Sequence, residues 1–207
     1  GLLVLMVALQ GGLGALTVLQ LLPSGVVTAH LALALTLVIT VSGLTQALLA
    51  SPQSAEAPRW WTLLGSVSVM AVSAQCLLGA RMATSWASQR CLETGQSCQW
   101  LHWHRAAATP AALCVLLFVL IALVSGSWGR SQWPLLLGAV LLVATQIGLG
   151  VMTLRLGLSQ PEVTVAHQLV ACLLVAVLAA LTCRRQPAPP DPLPVVLDSS
   201  SLEACHG

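Results

Sequence analysis

The sequence predicts an all-α integral membrane protein with six transmembrane helices, and three observations carry that expectation. Hydrophobic residues make up 57% of the 207-residue chain and charged residues only 7%. The mean hydropathy is +0.90, far above that of a domain with a solvated face. Six stretches reach the ~20 mostly apolar residues that a helix needs to cross a bilayer, at about 2–22, 26–49, 61–83, 103–125, 133–154 and 163–183. With a net charge of only +2 and no basic run, the chain has no electrostatic footprint for nucleic acid, and the lipid bilayer is its expected surrounding.

The first stretch, GLLVLMVALQGGLGALTVLQLL, begins at Gly1 without a Met and is already apolar. A secretory signal would be shorter and would lead through a small-residue cleavage site into a soluble domain. It therefore reads as a true crossing, in a chain expected to start earlier than Gly1. PSG turns it into the second stretch, and SPQSAEAPR separates the second from the third. The third runs through AQCLLGARMAT into a polar loop, and the fourth opens on WLHWHR. SGSWGRSQ and GLSQPE join the last three. All these connections carry turn-forming residues, and short connections make successive helices antiparallel neighbours, hence a bundle. From Arg184 onward the chain is rich in Pro and Ser and is expected to be disordered, with Cys205 and His206 as solvated tail residues.

Of the seven cysteines, Cys76, Cys114, Cys172 and Cys183 lie in apolar runs, where the thiol behaves as a small hydrophobe. Cys91 and Cys98 instead flank the polar segment CLETGQSC and can close a short disulfide loop if it faces an oxidising compartment. The tryptophans read as interfacial belts: Trp60, Trp61, Trp128 and Trp133 at one surface, Trp86, Trp100 and Trp103 at the other. Arginines divide equally, with Arg59, Arg130, Arg184 and Arg185 on one side and Arg81, Arg90, Arg105 and Arg155 on the other. The cysteine loop breaks the tie, placing itself outside the cytoplasm and the C-terminal tail within.

The chain also repeats itself. QGGLGALT (Gln10 to Thr17) matches QIGLGVMT (Gln146 to Thr153), and each is followed by a turn and a histidine, His30 and His167, at spacings of 20 and 21 residues from the glutamine. A duplicated helical hairpin accounts for this, and AQCLLGARMAT is a fainter third echo. Even-numbered crossings all begin on one face of the membrane, so His30, His104 and His167 share one depth, within about two helical turns of that surface. His104 and His167, on parallel crossings, can face one another across a bundle core, a common place for inward-facing metal or cofactor ligands.

Zinc would want a third nitrogen, thiolate or carboxylate, which the spacing does not supply. Heme needs only one or two axial ligands and an apolar slot, which Leu, Val, Ala and the repeat's glycines provide. The competing reading of each histidine is an interhelical hydrogen bond, and Gln10 and Gln146 are expected to make such bonds. His102 falls on another helix face and is expected to be interfacial and unligated. Arg105, Arg81 and Arg155 lie near the histidine depth, either as partners for heme propionates or as ordinary snorkelling arginines.

These residues resemble the heme A synthase family of cytochrome oxidase assembly factors. The likeness rests on QIGLGVMT, on the pairs Ala29-His30 and Ala166-His167, on His104-Arg105 opening a span, on QCLLGARMAT before an outer loop, and on Cys91 and Cys98 within it. It implies two pseudo-symmetric four-helix bundles and oxidation of a methyl substituent of heme O, supplied by its synthase, to the formyl group of heme A. It further implies a heme b held axially by His104 and His167, with His30 as a ligand on the substrate-heme side. The catalytic glutamate would stand one turn before His30's partner, on a span before Gly1. Where such an acid could precede His104, the chain has Trp100 and Leu101.

The expected organisation is then residues 1–50 as the second half of a substrate-heme bundle, 51–59 as a cytoplasmic linker, 60–185 as a complete heme b bundle, and 186–207 as the tail. Two rival readings stand beside the enzyme: a non-catalytic bis-histidine b-type cytochrome, and a transporter or scaffold without heme.

Overall fold

A computed structural model of the chain describes residues 1–51, 54–85, 87–96 and 98–186. Eight helices appear there: α1 (Leu2–Leu19), α2 (Ser24–Leu49), α3 (Arg59–Thr84), α4 (Ala87–Thr94), α5 (Cys98–Val124), α6 (Ser127–Ser131), α7 (Trp133–Arg155) and α8 (Pro161–Thr182). Six of them, all but α4 and α6, are long and apolar enough to cross a membrane, as the sequence predicts. The two short helices fall in segments that the sequence reading treats as loops, because hydropathy registers apolar content and not helicity. Trp86 and residues 187–207, including Cys205 and His206, lie outside the described residues.

Two helix boundaries differ from expectation for local reasons. α1 stops at Leu19, since Leu21 and Leu22 adopt positive φ of 54° and 63° just ahead of Pro23. Proline disfavours helical geometry in the residue before it, and the Leu22 amide turns back to donate to the Thr17 carbonyl at 2.8 Å. α5 starts at Cys98, five residues before the apolar run, because a helix can continue through polar CQWLH without loss.

The last four long helices close a ring. α3 packs against α5 and α8, and α7 packs against the same two, whereas α5 and α8 do not touch and lie across the ring from one another. α2 packs on both α3 and α8, and α1 packs on α2 alone among the described elements. α3 and α8 approach closely at Gly65, where an added Cβ would stand 2.5 Å from Thr182 Oγ1.

The tight core occupies only one end of this ring. Buried residues of α3 run from Trp61 to Val72, those of α7 from Leu136 to Val143, and those of α8 from Ala171 to Leu181. In α5 they run from Ala111 to Ala122, with Leu101 the one exception. Trp61 is the centre of that end and corrects the interfacial reading: it is fully buried, at 0% exposure. Its indole Nε1 donates to the Leu181 carbonyl at 2.7 Å, and its rings meet Phe118 and Trp128 at centroid distances of 5.0 and 4.6 Å. Trp133 and Trp103 are exposed, at 58% and 44%, as belt residues would be. Cys76, Cys114 and Cys172 are half-buried packing residues, while Cys183 is exposed at the end of α8 with its Sγ over Gly43 of α2. Beside it the linker is pinned, since the Gln186 amide donates to the Ala55 carbonyl at 2.9 Å.

Candidate functional site

At the other end of the ring the histidines take over. His30, His104 and His167 are each the seventh residue of their helix, counting from Ser24, Cys98 and Pro161. At ~1.5 Å rise per residue that sets each about 9 Å along its helix, and three helices that start on the same side carry their imidazoles to one level.

Each imidazole sits in the same seat, built by the long helix before it. In the first, Gln10 Nε2 lies 3.3 Å from His30 Nε2, and Gly14, one turn on, brings its backbone against the ring. In the third, Gln146 Nε2 lies 3.2 Å from His167 Nε2 and Gly150 meets the ring. The middle seat pairs Gln75 with His104: the amide lies 3.2 Å from Nδ1 and 3.5 Å from Nε2, and donates to the His104 carbonyl at 2.7 Å. Gly79 is its glycine. A Cβ at Gly14, Gly79 or Gly150 would come within 3.3, 3.0 or 3.2 Å of the facing ring carbon Cε1, a contact tight enough that the imidazole would have to shift to admit a larger residue.

Gln10 and Gln146 therefore make the interhelical bonds that their place in the repeat suggests. Gln75 and Gly79 are what sequence reasoning missed. The signal is Gln followed four residues later by Gly, then a histidine early in the next crossing. Insertion of α4 stretches the middle Gln-to-His interval to 29 residues, against 20 and 21 in the other copies, which hides the match.

The seats are polar but incompletely satisfied. The side-chain oxygens of Gln10, Gln75 and Gln146 are buried without a hydrogen-bond partner, and so are Nδ1 of His30 and Nδ1 of His167. Around them the residues are small, with Ala106, Ala107 and Ala108 following His104 on α5 and Gly148 and Gly150 on α7. His104 and His167 come from the two helices that lie across the ring from one another. His30, on α2 outside that ring, is a separate seat. No three His, Cys, Asp or Glu side chains converge among the described residues, so an occupant would have two imidazoles as its protein ligands. Two imidazoles from helices that lie across the ring from one another, one of them with an idle buried Nδ1, are the donor set that a bis-histidine heme would need.

The arginines separate. Arg81, in the last turn of α3, donates from Nη1 to Ser24 Oγ at 3.0 Å and lies 5.8 Å from the Trp100 ring centroid, between the start of α2 and the start of α5. Arg105 and Arg155 are exposed, without a partner among the described residues. His102 is exposed as well. Cys91 and Cys98 form a disulfide that ties the end of α4 to the start of α5, seven residues apart, directly before the His104 turn. One turn ahead of His104, the places where an acid would stand hold Trp100 and the buried Leu101.

Six helices long and apolar enough to cross a bilayer define a multi-pass integral membrane protein. Residues 1–179 match the COX15-CtaA family, described as cytochrome oxidase assembly protein, and the chain belongs to that family, which includes the heme A synthases. No curated protein and no solved structure matches the chain.

Proposed function

We propose that this protein is a heme A synthase, oxidising a methyl group of heme O to the formyl group of heme A for cytochrome oxidase assembly. Family membership supports the reaction class. The observation that supports the assignment within this chain is the pair His104 and His167, each against a glutamine of the preceding long helix and carried by helices that lie across the ring from one another. These two hold a heme b, which supplies electron transfer when bound. Residues 60–185 form its four-helix bundle, and residues 1–50 form the second half of a related bundle that presents His30 to heme O delivered by its synthase.

Each residue then has a task. Gly79 and Gly150 let the rings lie against the helix backbone, Arg81 offers a guanidinium between the His30 and His104 helices for a propionate, and Leu and Ala side chains keep water out. Arg105 and Arg155 are the outer propionate partners. The disulfide loop lies on the non-cytoplasmic side, with the C-terminal tail in the cytoplasm.

Replacing Gly79 by valine is expected to push the His104 ring out of its seat and reduce heme b per purified chain several-fold, by about 1–3 kcal/mol of overpacking. Gly138, which has nothing within 4 Å of its Cβ direction, tolerates alanine with full heme content. Pyridine hemochrome assay of the purified variants checks both.

A non-catalytic b-type cytochrome is the second reading, since it needs only His104 and His167. Heme extraction from cells with and without the gene separates the two. Loss of heme A with accumulation of heme O is the enzyme's expected result, and unchanged heme A with loss of a b-type spectrum would establish the cytochrome. A chain purified without any heme spectrum would support the transporter or scaffold instead.

A further inference from the structure

We infer that Gln146 is a positioning residue that holds the His167 imidazole in the tautomer and ring orientation needed for iron binding, and thereby sets the potential of the bound heme. The inference rests on the heme reading above. What motivates it is a pattern of idle atoms: in all three seats the glutamine amide nitrogen faces a ring nitrogen while the amide oxygen is buried with no partner. In the third seat the second ring nitrogen, His167 Nδ1, is idle too.

A neutral imidazole carries one proton on two nitrogens, so a ring whose one nitrogen gives its lone pair to iron must carry that proton on the other. The N–H then needs an acceptor. Among the described residues Gln146 is the side chain hydrogen-bonded to the His167 ring, and half a turn of its amide would bring Oε1 to Nε2 in place of the NH2 group. Ligation through the idle Nδ1 and rotation of the amide would satisfy both idle atoms together. Gln75 differs, since its NH2 group already donates to the His104 carbonyl at 2.7 Å and the same rotation would set two oxygens against each other.

An acceptor on the ring N–H raises ring basicity, strengthens donation to ferric iron and lowers the reduction potential. Simple interhelical bonding would have no such electronic consequence, which makes the potential the discriminating readout. The experiment is a redox titration of the purified full chain at alkaline pH, with low-spin electron paramagnetic resonance, on wild type and on Gln146→Leu and Gln146→Glu. The leucine variant is expected to raise the midpoint potential and shift the largest g value, while the glutamate variant, with the same shape and a stronger acceptor, lowers the potential. Shifts of the same sign in both substitutions, or none, overturn the inference while leaving the heme reading intact. Wild-type protein without a bis-histidine spectrum overturns the heme reading first, and the inference with it. Should the leucine variant bind no heme, the near-isosteric glutamate variant alone decides, by lowering the potential or failing to.

Discussion

Alanine in place of either His104 or His167 is expected to abolish the six-coordinate low-spin heme b signature and to cut retained heme to below about a tenth of wild type, since an axial ligand has no substitute nearby. The two imidazoles project from helices that face one another across the ring, so losing one leaves the other unable to span the slot. His30→Ala should leave this spectrum intact, because its seat lies on α1 and α2, yet should stop conversion of heme O in cells. His102→Ala, at an exposed position, is the neutral control. Absorbance and hemochrome assays on the four purified variants check the set. A full low-spin spectrum in both His104→Ala and His167→Ala would remove the basis of the proposed function.

The second large effect falls at the opposite end of the molecule. Trp61→Ala should destabilise the folded chain by about 3–5 kcal/mol, the usual cost of emptying a buried aromatic site. Association of helices in a bilayer depends on close packing and interhelical hydrogen bonds more than on exclusion of water, and Trp61 supplies both, through its edge-to-face contact with Phe118, its tilted contact with Trp128 and its bond to the Leu181 carbonyl. Trp61→Phe keeps much of the packing but leaves that carbonyl without its indole donor, and should lose about 1–2 kcal/mol. Denaturant titration in detergent micelles measures the difference. If both variants unfold with wild type, Trp61 is the interfacial anchor that its place in a WW pair suggests.

Trp61 also shows where sequence reasoning stops. Hydropathy and length locate six crossings because bilayer thickness imposes a near-constant requirement on each. Parity then puts His30, His104 and His167 at one level, and the repeat pairs Gln10 with His30 and Gln146 with His167 before any coordinate is known. Which way a tryptophan near a helix end turns is decided by neighbours on other helices, here Leu181 and Phe118, and no local signal distinguishes Trp61 from Trp60. The same holds for Gln75, whose partner lies beyond an inserted helix, and for α4 and α6, whose polar residues give no apolar period. The concentration of buried residues away from the histidines is likewise a property of the ring and not of any one segment.

Each imidazole is covered by the long helix that immediately precedes its own: α1 for His30, α3 for His104, α7 for His167. A chain delivered into the bilayer hairpin by hairpin can therefore complete every seat as soon as its second helix arrives, with only a short connection to close. One nitrogen of each ring thus finds its glutamine without waiting for a distant part of the molecule to be synthesised, and assembly of each seat is local to one hairpin.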